Sequence, residues 1–142
     1  MDLSAEQITQ LNANPLYATI GIELHEAAAG CARSTLTPRA QVCWPSEGQP
    51  HGGILFTVID TTMAFAVMSL AEAGRGCATV DCNIQYPAPA RQGPFHCQAT
   101  TTHRAGRTVF IRAEVRDANG TAVALGQASF RIIEAKPTAR AA

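Results

Sequence analysis

Asp60 is the only charged residue in the apolar run Ile54–Leu70, whose other polar members are Thr57, Thr61, Thr62 and Ser69. An ionised carboxylate is costly to bury, so a chain that keeps one there either pairs it or uses it. The structural option is an aspartate bonded to Thr57, Thr61 or a strand hydroxyl. The chemical option is a nucleophile or a general base. Upstream, separated from Asp60 by six residues, stands His51-Gly52-Gly53. If the run is helical, these glycines open it, and a helix N-terminus offers unpaired N–H groups and partial positive charge. Glycine lets a substrate oxygen approach that backbone closely, and such donors stabilise a developing oxyanion by a few kcal/mol. A plain glycine helix entry is the structural alternative. A base and an oxyanion donor together are the parts needed for acyl transfer.

Other reactive residue types are less informative. Cys43 and His103 could be read as a Cys–His nucleophile pair, but their spacing gives that no support. Ten of the 11 basic residues are arginine, and Arg91, Arg104, Arg107, Arg112 and Arg116 fall in one stretch whose only acid is Glu114. A local basic surface suits phosphate groups, for which arginine offers bidentate contacts. Nucleic acid fits less well, because no aromatic stacking platform accompanies these arginines.

The elements that must position these residues follow from pattern. Ser4 to Leu11 reads as a short helix with a capping box at Ser4 and Gln7, broken at Asn14-Pro15. Residues 21–28 and 31–37 flank Gly30 as a hairpin, and 38–50, with Pro38, Pro45, Gly48 and Pro50, form a loop. The run opened by His51-Gly52-Gly53 predicts a helix apolar on every face, so something must wrap it. Gly74 and Gly76 end it. Four strands are predicted over 77–86, 94–103, 107–116 and 121–132. In the first, Ala78, Val80, Cys82, Ile84 and Tyr86 form the apolar face and alternate with Cys77, Thr79, Asp81, Asn83 and Gln85 on the other. Ala105-Gly106 and Asn119-Gly120 mark hairpin turns. One apolar helix and a four-strand antiparallel meander describe an α+β fold in which a curved sheet wraps a central helix. A single domain over 1–142 is expected, with 1–17 as N-terminal helix and turn and 134–142 as a frayed tail.

Composition bounds the function. Of 142 residues, 15% are charged and 46% hydrophobic, which excludes disorder. A formal net charge of zero gives no global field for nucleic acid or an anionic membrane, and little to repel a second copy. Asp60 argues against a membrane span, since a carboxylate at the bilayer centre costs at least ~2.5 kcal/mol. Five cysteines without a C-x-x-C pair read as small buried hydrophobes in a reducing compartment. The start MDLSAEQITQLN has neither the basic nor the apolar region of a signal peptide, so a cytoplasmic location is expected.

With these residues in place, the chain resembles a known family. His51-Gly52-Gly53 followed by the helical Asp60 is similar to the hot-dog acyl-CoA thioesterases of the phenylacetate-degradation (PaaI) type. Thr79–Tyr86, running into Pro87-Ala88-Pro89-Ala90-Arg91-Gln92-Gly93, resembles that family's next strand and its exit. Gly106-Arg107 through Gly120 resembles its closing hairpin, so the likeness covers about residues 18–133.

The resemblance implies hydrolysis of an acyl- or aryl-acyl-CoA thioester to a carboxylic acid and coenzyme A, without metal or cofactor. Asp60 would attack the carbonyl or activate water, the Gly52 N–H would polarise the carbonyl, and Thr79 would hold the water. His51 would shape the turn and touch substrate with Gly53, while Arg91 and Arg107 match basic positions of the family. The family also implies a homodimer with sites at the subunit interface, usually paired into a homotetramer. In one departure, Pro45 stands where similar thioesterases carry an asparagine six residues before the histidine. Either Gln49 or Ser46 takes over, or the carbonyl has one donor fewer, a loss worth ~10²–10³ in rate. That leaves a non-catalytic acyl-CoA binder as the alternative. A hot-dog hydratase ranks below both, because neither an Asp-x-Asn-Pro-x-His stretch nor a helical histidine is present.

Overall fold

The computed structural model describes residues 2–44 and 48–134. Pro45, Ser46 and the tail beyond Glu134 lie outside the described residues. Helix α1 (Ala5–Asn12) begins with the expected capping box between Ser4 and Gln7. Asn14-Pro15 does more than break it. Asn14 caps a second short helix, α2 (Pro15–Ile20), with Pro15 as its first residue, a place where a missing N–H costs nothing. The hairpin β1 (Ile22–Ala28) and β2 (Cys31–Leu36) follows. After a short 3₁₀ turn come α3 (Gly52–Met68), β3 (Arg75–Gln85), β4 (Phe95–Ala105), β5 (Thr108–Arg116) and β6 (Ala122–Glu134).

The strands form one six-stranded antiparallel sheet in the order β1-β2-β4-β5-β6-β3. The expected curved sheet around an apolar helix is the architecture observed, but the sheet is no simple meander. β3 pairs with β6 rather than with the strand that follows it. The β3–β4 link, residues 86–94, must cross about 14 Å of sheet at ~4.8 Å per strand, well within its reach. The two-residue turns predicted the β4–β5 and β5–β6 neighbours correctly; this longer link carries no such local constraint.

Inward residues of α3 meet the concave face of the sheet. Val58, Ile59 and Met63 are fully buried with Leu36, Phe95, Val109, Val115 and Phe130. Burying each of these larger side chains stabilises the fold by roughly 1.5–3 kcal/mol. The helix lies against bare backbone at Gly126, where a Cβ would stand 2.6 Å from Ile59 Cγ2. Thr57, Thr62 and Ser69 donate to helix carbonyls at Gly53, Val58 and Ala66, and Thr62 also meets Ser34 at 2.6 Å. Among the described residues no helix is long and apolar enough to cross a membrane.

The cysteines are less uniform than expected. Cys97 is buried, Cys43, Cys77 and Cys82 are half-buried, and Cys31 is exposed.

Gly21 ends α2 with φ +93°, and a Cβ there would lie 2.0 Å from the Thr37 carbonyl oxygen. Gly21→Ala must therefore adopt a left-handed conformation and displace backbone. We expect it to lose more than ~2 kcal/mol, read as a fall in the urea midpoint at unchanged slope.

Candidate active site

Only part of α3 is wrapped. Gly53, Phe56, Thr57, Asp60, Ala64 and Met68 are incompletely buried, and their spacing puts them on one stripe of the helix. The stripe faces β3, the last strand of the sheet, whose outer edge has no neighbouring strand among the described residues. Asp60 thus sits at a seam and not in the sealed interior that the apolar run suggested.

Its partner comes from β3. Thr79 Oγ1 donates to Asp60 Oδ1 at 2.8 Å. Strict alternation along β3 would have grouped Thr79 with Asp81, away from the helix. A bulge between Thr79 and Asp81 reverses the parity. Cys77 and Thr79 point inward ahead of it, Cys82 and Ile84 beyond it, and Val80 is 65% exposed. The expected apolar face of this strand is therefore correct only in its second half. Asp81, Asn83 and Gln85 line hollows on the outer face of the sheet, as a polar face should.

Around the carboxylate stand groups that feel its charge. Burial raises the Cys77 thiol to about 11, and Asp60 adds to the shift. Cys77 Sγ also donates to the Ala64 carbonyl at 3.5 Å, so it remains a neutral thiol and offers no competing nucleophile. Burial, then Asp60, raises Cys82 as well. From α2, Tyr17 packs edge-on against Phe65 with ring centroids 5.9 Å apart. Burial chiefly raises its hydroxyl, Asp60 pushes the same way, and a hydrogen bond with Thr61 opposes both. Sequence reasoning missed Tyr17, although Asn-Pro is a legible start for the helix that carries it.

The second feature is the tip of α3. His51 is its N-cap, and His51 Nδ1 accepts the Gly53 N–H at 2.9 Å. This engages His51 Nδ1 in the turn and consumes the Gly53 donor. Gly53 contributes instead by lacking a side chain, since a Cβ would lie 3.1 Å from that Nδ1. The Ile54 N–H turns back to the His51 carbonyl at 2.8 Å. The Gly52 N–H has no partner among the described residues, as the first position of a helix allows. Tyr86, also overlooked, donates its hydroxyl to the Gly52 carbonyl at 2.8 Å.

The remaining candidates separate. Gln49 accepts the Trp44 N–H through its backbone carbonyl. Arg91 is exposed in the β3–β4 link, at the end of the sheet where α3 begins. Arg107 lies beyond the other end of β4, roughly 35 Å away along the strand, with its Nε on the Ile132 carbonyl at 3.0 Å. Arg104 bonds the Leu70 and Gly106 carbonyls, and Arg116 bonds the Gly120 carbonyl and pairs with Glu114. One chain therefore has no single arginine surface; neighbours in sequence are spread along antiparallel strands. Cys43 donates to the Arg39 carbonyl and His103 lies near Phe110 on the outer face, so they form no pair.

Comparison with known proteins bears on the whole chain. Residues 48–124 match the thioesterase superfamily. A protein of Halobacterium salinarum named "Putative esterase" is 34% identical over 128 residues, 82% of this chain and 83% of that protein. A thioesterase of Haemophilus influenzae superposes with a TM-score of 0.84 at 19% identity, covering 97% of this chain and 96% of that one. The E. coli PaaI protein from the phenylacetic acid degradation operon gives 0.78 at 24% identity, over 90% and 91% of the two chains. At those identities the two structures establish a common fold.

Proposed function

The chain belongs to the thioesterase superfamily and is a thioester hydrolase, and from that premise we propose that it cleaves acyl-CoA at sites shared by two copies. The observation that carries this reading is the Thr79–Asp60 hydrogen bond at an open seam of the helix. With Oδ1 held, Oδ2 is the oxygen left to act. As a general base it takes a proton from water while the hydroxide oxygen bonds to the thioester carbon. The carbonyl oxygen becomes an oxyanion held by the Gly52 N–H. When the C–S bond breaks, the coenzyme A sulfur leaves with the proton that Asp60 carried, and the acid is released. Direct attack by Oδ2 would use the same positions, with water then cleaving the anhydride.

Helix geometry supports the sharing. Gly52 and Asp60 are eight residues apart on one helix, a rise of about 12 Å. A carbonyl group spans far less, so the carboxylate and the donor acting on one thioester come from two chains. β3 offers the surface for that union, an 11-residue strand beside Asp60 with one edge unpaired among the described residues. Such pairing is isologous and gives two equivalent sites. A further pairing into a tetramer is consistent with the family. Arg91 and Arg107, separated in one chain, would serve coenzyme A phosphates from different copies.

The test is a panel of aryl-acetyl and straight-chain acyl-CoA substrates, followed by acid release. Thiol reagents would report the five cysteines as well. Turnover of at least one substrate is expected. Affinity without turnover would establish the alternative, a non-catalytic acyl-CoA binder.

The hydroxyl of Thr79 gives a second expectation. Thr79→Val keeps the strand but frees Asp60 Oδ1, and kcat should fall about 10-fold, the worth of one hydrogen bond to a charged group. An unchanged kcat would remove Thr79 from the mechanism.

A further inference from the structure

Tyr86 has no part in the roles assigned above, yet it touches the residue proposed as oxyanion donor. Its hydroxyl donates to the Gly52 carbonyl at 2.8 Å. Its ring covers the place where a Gly52 side chain would begin, with Cζ, Oη and Cε1 at 3.4–3.7 Å from that point. The same peptide unit is held from its other side, because the Gly53 N–H bonds His51 Nδ1 at 2.9 Å. One step upstream, the His51 N–H bonds the Val42 carbonyl at 3.0 Å. Glycine has the broadest backbone freedom of any residue, so a free N–H at Gly52 aims at a fixed point only if its neighbours are clamped. The peptide that carries this N–H is held through its His51 carbonyl, which accepts the Ile54 N–H at 2.8 Å, and the next peptide is clamped by His51 Nδ1 and Tyr86.

We propose that Tyr86 is a positioning residue: by holding the Gly52 carbonyl it fixes the Gly52 backbone, so that the N–H of the preceding peptide points at the thioester oxygen. This rests on the reading of Gly52 as the oxyanion donor. Tyr86 is 49% exposed, so the hydroxyl gains little for stability that water could not supply. Burial, with the nearby Cys82, raises its pKa and keeps it a proton donor at neutral pH. Its place in the chain adds a coupling. Thr79 lies within β3 and Tyr86 directly follows it, so one strand steadies both Asp60 and Gly52. A second copy added along β3 would firm both contacts at once.

The test is Tyr86→Phe in the full-length protein, assayed on the best substrate of the panel. We expect kcat to fall about 5–10-fold, KM to stay within about twofold and the unfolding midpoint to hold, as expected when one hydrogen bond matters mainly in the transition state. The second readout is the infrared carbonyl stretch of carbonyl-¹³C phenylacetyl-CoA bound to Asp60→Asn protein, with and without Tyr86→Phe. A smaller downshift in the double variant supports the proposal, because the donor then grips the carbonyl less well. Equal kcat and an equal stretch overturn it. A wild type that releases no acid, or an Asp60→Asn protein as fast as wild type, would defeat the thioesterase reading instead. The carbonyl comparison would still decide the role of Tyr86.

Discussion

Asp60→Asn should abolish turnover, lowering kcat by ~10³–10⁴ with the protein folded and still able to bind acyl-CoA. The substitution is nearly isosteric. The Thr79 hydroxyl, 2.8 Å from Oδ1, can donate to an amide oxygen as it does to a carboxylate. The seam beside β3 therefore keeps its shape, and only basicity and charge are lost. The lost charge has its own signature. Asp60 is the second cause, after burial, of the raised Cys77 thiol, which stands at about 11. Removing it should lower that pKa while leaving the larger burial effect, and so modestly quicken alkylation of Cys77. A variant that binds substrate, shows faster Cys77 alkylation and releases no acid places the reacting carboxylate at position 60. Wild-type hydrolysis by Asp60→Asn would exclude it.

Gly52→Pro should cost ~10²–10³ in kcat, the worth of one oxyanion donor, with little change in stability. Most proline substitutions in a helix cannot be read this way, because they break a hydrogen bond and clash with the preceding turn. Position 52 is different. It is the first residue of α3, where an N–H has no intrahelical partner and where proline is common. His51 has φ −56° and ψ 142°, a conformation compatible with a following proline. The new Cβ would meet the Tyr86 ring at 3.4–3.7 Å, ordinary contact distances. The substitution therefore deletes one donor and little else. Circular dichroism and the unfolding midpoint should match wild type while kcat falls. A Gly52→Pro protein with full activity would show that the carbonyl is polarised elsewhere.

Much of this site was legible before any coordinates, for reasons of different kinds. Asp60 and the glycines before it stand out through contrast, a charge among hydrocarbons and bare backbone at a helix start. That contrast survives folding. The capping box at Ser4 and the turns at Ala105-Gly106 and Asn119-Gly120 are local chemistry and formed as read. Three things were not legible. The bulge in β3 turns Thr79 toward Asp60, and no residue type between Cys77 and Tyr86 announces it. The neighbour of β3 is set by which strand edge the long link can reach, and several could have satisfied it. The arginines were close in sequence but not in space, because strands of nine to 13 residues carry neighbours far apart. Tyr17 and Tyr86 escaped for a related reason. Each acts through a contact with α3 from another element, and nothing in its own neighbours foretells that contact.

Sharing of each site between two copies has the most direct test. Asp60→Asn and Gly52→Pro proteins, each nearly inactive alone, are unfolded together, refolded as a mixture and assayed for acid release. Half of the random dimers are mixed, and each mixed dimer carries one site with neither defect, so about a quarter of wild-type activity should return. A mixture no more active than its two components would mean that carboxylate and donor do not meet across the β3 edge, and the account would fail at its centre.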